Sequence, residues 1–286
     1  MPPDPASLPV APAAGRLGVL AGGGRLPRVV LEACRRQGRE VFAVAFEGST
    51  DPETVTDMPH QWVRLGAVGQ TIALLKANRV EELVMAGPVA RPSWAGMRPD
   101  LRALKLLPKV LAGGQGDDSI LSLAIRELEA EGFRVVGAHA VVPELLAPAG
   151  PLGARVPDRG ARADIARGVE VAMALGAVDV GQAVVVQQGV VLGIEAVEGT
   201  DALLGRAATL RRDGPGGVLV KCRKPSQDRR ADLPSIGADT VRRAREAGLR
   251  GIAVEAGETL VLDRALVIEA ADAGGLFVYG FEGGPG

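Results

Sequence analysis

The segment most suggestive of chemistry is Lys221–Asp232, KCRKPSQDRRAD, in which cations and carboxylates are interleaved. Its first ten residues contain five cationic side chains, at Lys221, Arg223, Lys224, Arg229 and Arg230. Cations can neutralise a diphosphate, while one or two carboxylates hold Mg²⁺, which prefers oxygen ligands and is often shared with substrate phosphates. Asp228 and Asp232 are therefore candidate metal ligands. A surface ion-pair network is the alternative interpretation of the same pattern.

A second acidic group lies in the segment Gln188–Asp201, QGVVLGIEAVEGTD. Its carboxylates are three residues apart, at Glu195, Glu198 and Asp201. They therefore share one face if the turn is helical. If the segment is instead the end of a strand, Glu195 and Glu198 project toward an edge where Asp228 could meet them. A helix cap formed by Thr200 or Asp201 is the competing interpretation.

A glycine-rich turn, AGGGRLP, follows the first predicted strand and opens the first predicted helix. Backbone N–H groups at Gly22, Gly23 and Gly24, together with the helix N-terminus, can bind a phosphate or nucleotide. The turn departs from the dinucleotide fingerprint GxGxxG because Pro27 occupies the third glycine position. Glu47, at the end of the second strand, is placed to contact a ribose hydroxyl. A turn that only allows close packing is the alternative.

Three further residues follow predicted strands or precede predicted helices in the first half of the chain. Arg91 follows a strand, at the sheet edge where ligands of such folds bind. Asp117 precedes a helix whose N-cap is assigned to Asp118 or Ser119. The Asp117 side chain is then not needed as the cap and is available to bind a ligand. His139 also follows a strand, but a lone histidine is more often structural.

A basic amphipathic segment spans residues 94–109. Its cations recur at intervals of four, three and four beside a row of leucines, at Arg98, Arg102, Lys105 and Lys109. Such a segment suits an anionic membrane surface or an acyl chain. An ordinary surface helix packed by its leucines is the alternative.

The elements that must position these residues alternate between strands and helices. From Arg16 the order is βαβ, which predicts an N-terminal doubly wound, Rossmann-like parallel sheet. We predict a flexible tail at 1–15, this domain at 16–150, a linker at 151–160 and a second, smaller α/β domain at 161–286. Pro27 and Gly38 are the expected start and stop signals of the first helix. In the second domain we predict a helix near Ala238–Glu246 and paired strands around IAVEAG and TLVLD. A cleft between two such domains is where a ligand is expected.

Composition narrows the function classes. The 286 residues carry 33 Lys+Arg and 34 Asp+Glu, a net charge of −1, so nothing favours nucleic acid as a partner. Cys34 and Cys222 form neither a disulfide framework nor a thiolate zinc site, and a reducing cytoplasm fits best. No secretory signal or membrane-spanning window is recognised.

Several of these motifs, in this order, resemble one enzyme family. AGGGRLP, AGPVARP, GDDSIL, VVVQQGVVLGIEAVEGTDALL and KCRKPSQDRRADLPSIG are similar to the LpxI family of UDP-2,3-diacylglucosamine pyrophosphatases. The resemblance implies Mg²⁺-dependent hydrolysis of UDP-2,3-diacylglucosamine to UMP and 2,3-diacylglucosamine 1-phosphate (lipid X). It also implies a homodimer working peripherally on the cytoplasmic face of the inner membrane, with the lipid enclosed by two domains.

The resemblance gives the candidates their roles. Asp228 falls on the motif aspartate whose loss should abolish hydrolysis, and Asp232 follows as a second ligand or orienting group. The cations expected to stabilise charge on the diphosphate are Lys221, Lys224 and Arg229. Glu195, Glu198 and Asp201 are further candidate metal ligands. The residues expected to contact substrate are Gly22, Gly23, Gly24, Arg91, Asp117, Gln188 and Gln227.

Two other functions remain open at this point. The glycine turn and Glu47 would also suit an NAD(P)-linked oxidoreductase, although no hydride-transfer group accompanies them. A non-catalytic protein that binds a sugar nucleotide or lipid and presents it to a partner is the second alternative.

Overall fold

A five-stranded parallel sheet forms the centre of the first compact unit. The computed structural model describes residues 15–89, 99–105, 117–225 and 227–283, without the side chains of residues 117–119. The strands are β1 (Arg16–Ala21), β2 (Val41–Phe46), β3 (His60–Val63), β4 (Val80–Ala86) and β5 (Arg134–Val135). They lie in the order β3-β2-β1-β4-β5, with every pairing parallel. This is the strand order of a Rossmann-like fold, which confirms the predicted fold class.

The first helix of this unit begins and ends next to its predicted signals. The described helical ranges are α1 (Leu26–Arg36), α2 (Pro52–Val55), α3 (Val68–Ala77), α4 (101–105) and α5 (Asp117–Ala130). Pro27 lies in the first turn of α1, where its missing N–H costs no hydrogen bond. Gly38, just beyond the end of α1, has a φ of 66°, a left-handed conformation that glycine adopts without strain.

The second unit begins earlier in the chain than the sequence suggests. Described residues up to 105 and residues 124–136 form the first unit, whereas residues 117–123 and 137–283 form the second. The segment predicted as a linker contributes Pro151 to a strand of the second unit. In the described ranges no helix combines the length and the apolar character needed to span a membrane.

A six-stranded mixed sheet forms the centre of the second unit. Its strands are β6 (Gly150–Pro151), β7 (Ala183–Gln187), β8 (Val190–Ile194), β9 (Val218–Lys221), β11 (Gly251–Glu255) and β13 (Phe277–Phe281). Their order is β6-β13-β11-β9-β7-β8, and β10 (Ser235–Ile236) pairs separately with β12 (Leu260–Val261). The segments IAVEAG and TLVLD were predicted to pair with each other, and this is wrong. β11 lies between β9 and β13 instead.

Both faces of this sheet are buried by helices. The helical elements are α6 (Ala138–Val141), a 3₁₀ turn (Pro143–Leu145), α7 (Arg159–Ala177), α8 (Gly199–Thr209), α9 (Ala238–Glu246) and α10 (Arg264–Gly274). Val218 and Val220 of β9 pack in one cluster with residues of α7, while Leu219 packs in another with residues of α8, α9 and α10. Because side chains alternate along a strand, Lys221 lies on the α8 face with Leu219.

Candidate active site

Lys221 places a buried ammonium at the last position of β9. The residue is only 5% exposed. Its Nζ donates to Thr200 Oγ1 at 2.9 Å and to the Ser235 carbonyl oxygen at 3.1 Å, which engages two of its three N–H donors. Burial lowers the pKa of Lys221, and the nearby carboxylates of Glu195, Asp232 and Asp201 oppose that shift.

Glu195, directly after β8, supplies negative charge to the same cluster. It is 7% exposed, and its Oε1 accepts a hydrogen bond from Thr200 Oγ1 at 2.6 Å. Its Oε2 accepts from the backbone N–H of Gln182 at 3.3 Å. A buried carboxylate needs hydrogen-bond partners, and Glu195 has two of them here. Its surroundings therefore make it a counter-charge to Lys221.

Thr200 does not act as the helix cap that the sequence allowed. The N-cap position of α8 is Glu198, and no side chain caps the helix there. The Thr200 hydroxyl instead joins Lys221 to Glu195 through the two hydrogen bonds described above.

Gln227 is an internal brace of the loop that follows β9. It is 3% exposed, and its Oε1 accepts from the backbone N–H of Lys224 at 3.2 Å. Its Nε2 donates to Asp232 Oδ2 at 2.7 Å and to Gln182 Oε1 at 3.3 Å. The amide therefore ties both ends of the loop to each other, which is a different role from the substrate contact expected of Gln227.

Asp228 is held in a bidentate pair with Arg230. The Arg230 Nη2 lies 2.8 Å from Asp228 Oδ2, and the Arg230 Nε lies 3.0 Å from Oδ1. The side-chain hydrogen bonds from Arg230 lower the pKa of Asp228, while partial burial works in the opposite direction. The Asp228 carbonyl accepts from the N–H groups of Ala231 and Asp232, which closes one tight turn. Asp228 and Asp232 therefore lie at the two ends of one turn, and the Asp232 carboxylate accepts from Gln227.

The other predicted cations also have partners. Lys224 is buried, and its Nζ lies 2.6 Å from Asp179 Oδ1. Arg229 is half-exposed; it donates to the Gly257 carbonyl at 3.0 Å and lies 3.1 Å from Glu258 Oε2. Arg229 is therefore the more accessible of these two cations.

The remaining predicted carboxylates do not gather into a metal site. Glu198 pairs with Arg206, and Asp201 lies 3.2 Å from the Nε of Arg243. Over the described residues, no group of three or more His, Cys, Asp or Glu side chains is arranged to hold an ion. The structure thus offers no preformed cage of protein ligands there.

Sequence comparison identifies the family. Family models of the LpxI N-terminal domain and the LpxI C-terminal domain match residues 16–145 and 148–279. The chain is also 42% identical over 274 residues to the UDP-2,3-diacylglucosamine pyrophosphatase LpxI of Caulobacter vibrioides, an alignment that covers 93% of this chain and 98% of that protein. The chain belongs to the LpxI family. The resemblance seen in the motifs is therefore confirmed.

The glycine turn of this LpxI family member is packed against the end of β4. The N–H groups of Gly22 and Gly23 donate to the carbonyls of Ala86 and Pro88, both at 2.7 Å. A Cβ on Gly22 would lie 2.4 Å from the carbonyl oxygens of Gly87 and Pro88. These two N–H groups therefore serve the fold here. Gly24 differs, because its φ is 72° and no atom lies within 4 Å of an added Cβ.

Three substrate contacts stay predictions, those of Gln188, Arg91 and Asp117. Gln188 and Gly189 form the tight turn between β7 and β8, both with positive φ, as a two-residue hairpin of type I′ requires. The Gln188 amide donates to the Asp213 carbonyl at 3.1 Å, which supports that turn. Arg91 lies outside the described residues, and so does the side chain of Asp117.

The partners of the charged groups in this LpxI family member could not be predicted from the sequence. Asp179 was not singled out, although its φ of 55° marks an unusual local backbone. Gln182 was also missed, because a glutamine before a strand has no distinctive pattern. The motif at residues 221–232 indicated a candidate site, but only the fold shows that Thr200 contacts Lys221 and that Gln182 contacts Gln227.

Proposed function

We propose that this LpxI family member hydrolyses the diphosphate of UDP-2,3-diacylglucosamine, yielding UMP and 2,3-diacylglucosamine 1-phosphate. The observation that carries the proposal is the 42% identity, over 93% of the chain, to a protein named as the pyrophosphatase for this substrate. The cationic cluster after β9 provides chemistry suited to an anionic diphosphate.

The reaction adds a water oxygen to one phosphorus and breaks the anhydride bond to the bridging oxygen, whose electrons leave with the other phosphate. Negative charge on the phosphoryl oxygens and the leaving oxygen must be stabilised, and fixed cations do this most effectively where water is excluded. Lys221 is a buried cation on rigid elements, and Arg229 is an accessible one. Asp228 is kept ionised by Arg230, so it can accept a hydrogen bond from the attacking water and orient that water.

We also propose that Mg²⁺ takes part. Asp228 and Asp232 lie on one tight turn, and one or two carboxylates together with substrate phosphates is the usual magnesium environment. This donor set fits an ion that arrives with the diphosphate and is held by those two side chains. When bound, Mg²⁺ neutralises charge on the diphosphate. Glu195, Glu198 and Asp201 lie outside this turn and are not assigned to it.

A membrane surface is the proposed place of action, on the cytoplasmic side of the inner membrane. The substrate joins a water-soluble nucleotide to acyl chains. In α4, Leu101 is 81% exposed and Leu104 is 47% exposed beside the exposed Lys105. Leu101 and Leu104 therefore do not pack this helix against the protein, as the alternative interpretation of the segment requires. Apolar groups beside a cation suit an anionic bilayer.

Sedimentation with anionic vesicles tests the membrane proposal. Wild type is expected to sediment with the vesicles more than Leu101→Glu, and equal sedimentation of the two proteins would contradict the proposal.

A homodimer remains part of the proposal on the family resemblance alone. Sedimentation equilibrium of the full chain gives the mass of the particle directly. A monomer at concentrations where hydrolysis occurs would remove the dimer from the account.

Chromatographic detection of UMP tests the proposed activity. Purified protein with Mg²⁺ is expected to release UMP from UDP-2,3-diacylglucosamine in amounts that match the loss of substrate. Tight substrate binding without UMP release would instead favour the non-catalytic binding protein. No observation favours the nicotinamide alternative, because the Gly22 and Gly23 N–H groups already have backbone partners.

A further inference from the structure

We infer that Thr200 is a positioning residue that fixes the Lys221 ammonium for phosphoryl chemistry. This inference rests on the proposed function and deepens it. Thr200 is not part of the cationic motif, and its contacts to Lys221 and Glu195 exist only in the folded chain.

The direction of the Thr200 hydroxyl proton is fixed by its neighbours. An ionised carboxylate can only accept hydrogen bonds, and an ammonium can only donate them. Thr200 Oγ1 must therefore give its proton to Glu195 Oε1, 2.6 Å away, and accept from Lys221 Nζ, 2.9 Å away. Hydrogen bonds to charged groups are shorter and stronger than neutral ones, so this arrangement orients Nζ firmly.

The surroundings make that orientation matter. Lys221 and Glu195 are both nearly excluded from solvent, so water cannot replace a lost partner at low cost. Lys221 ends β9 and Thr200 stands in the first turn of α8, so the hydroxyl joins a strand to a helix. The Ser235 carbonyl holds a second N–H of the ammonium at 3.1 Å, which directs the third to a defined place.

Side-chain replacement at Thr200 separates positioning from packing. Thr200→Val keeps the shape but removes the hydroxyl, and we expect kcat to fall about 10- to 100-fold with KM changed less than about threefold. Thr200→Ser restores the hydroxyl and is expected to stay within about threefold of wild-type kcat. Thr209→Val is the matched control, because Thr209 lies in the same helix, is exposed and donates only to the Arg206 carbonyl. It should leave kcat unchanged.

A double-mutant cycle tests whether Thr200 acts through Lys221. In the Lys221→Met background, Thr200→Val should cost less than about threefold, because the group it positions is gone. An undiminished loss in that background would overturn the inference, and so would wild-type kcat in Thr200→Val. Thr200→Ser provides the test if Thr200→Val does not fold. A kcat for Thr200→Ser as low as that of Lys221→Met would then overturn the inference. Absence of UMP release by the wild type is a separate result, which contradicts the proposed function itself.

Discussion

At the scale of single residues, the proposed chemistry depends most on the side chain of Asp228. We predict that Asp228→Asn lowers kcat by a factor of about 10², because a misplaced attacking water costs about that much. The amide keeps the size of the side chain and can still accept from Arg230, so thermal unfolding should change little. Steady-state kinetics and a circular dichroism melt measure both quantities.

The matched control for Asp228 is Asp239. It also pairs with an arginine, Arg242, but the pair is exposed on α9. Asp239→Asn is expected to keep wild-type kcat, because exposed ion pairs contribute little. Near-normal turnover in Asp228→Asn would remove this residue from the mechanism.

The charged residues of the candidate site could be picked out from the sequence, but their hydrogen-bond and ion-pair partners could not. The alternation of Lys, Arg and Asp in residues 221–232 indicated a candidate site from sequence alone. The same string gave no sign that Arg230 neutralises Asp228 or that Gln227 is buried. Those facts depend on how one loop folds back on itself, and sequence separation of two to five residues allows many such arrangements.

At the scale of elements, the glycine turn before α1 distinguishes packing from nucleotide binding. Gly22→Ala brings a Cβ to 2.4 Å from two backbone oxygens, so we expect a loss of at least about 2 kcal/mol in stability. Gly24→Ala meets no atoms and should cost only about 1–2 kcal/mol, from its positive φ. Urea unfolding followed by tryptophan fluorescence reports on this half of the chain, because both tryptophans, Trp62 and Trp94, lie there. Equal stability of Gly22→Ala and wild type would contradict the packing role.

Asp100 connects two helices of the first unit and gives a pH-dependent prediction. Its Oδ2 accepts from the N–H of Gly69 in α3, and its Oδ1 accepts from the N–H groups of Arg102 and Ala103 in α4. Burial raises the pKa of Asp100, but the backbone hydrogen bonds outweigh it, so the net shift is downward. Asp100→Ala should cost about 1–3 kcal/mol at pH 7, because two helix N-termini lose an acceptor.

The sign of the pH effect follows from the lowered pKa. The stabilisation is complete above the unfolded value, about pH 4, and is lost as the pH falls through the lower folded value. The stability difference between wild type and Asp100→Ala should therefore shrink below about pH 4. Asp51→Ala is the control, because Asp51 precedes α2 without capping it. A difference that stays constant with pH would contradict this account.

Most elements could be predicted, whereas the pairing of the late strands could not. Gly and Pro signals placed α1, and α9 was placed at its observed bounds. IAVEAG and TLVLD were wrongly paired because two adjacent strands in sequence usually pair. Here β11 has the buried aliphatic run Ile252, Ala253 and Val254 and lies between β9 and β13, while the short β12 pairs with β10.

At the scale of the whole molecule, the proposed metal links the chain to its substrate. We predict that excess EDTA abolishes UMP release and that added Mg²⁺ restores it. Asp232→Asn should raise the Mg²⁺ concentration for half-maximal activity at least about tenfold. Glu198→Gln should not, because Glu198 is paired with Arg206. Full activity in excess chelator would remove the metal from the mechanism.

The most direct test of the hydrolase account is phosphorus NMR of the full chain with UDP-2,3-diacylglucosamine, with and without Mg²⁺. The account predicts that the diphosphate resonances decay only with Mg²⁺, while those of UMP and the sugar 1-phosphate grow in equal amounts. Asp228→Asn should leave the diphosphate resonances unchanged over the same time. A persistent diphosphate signal in the wild type, with substrate bound and Mg²⁺ present, would contradict the account.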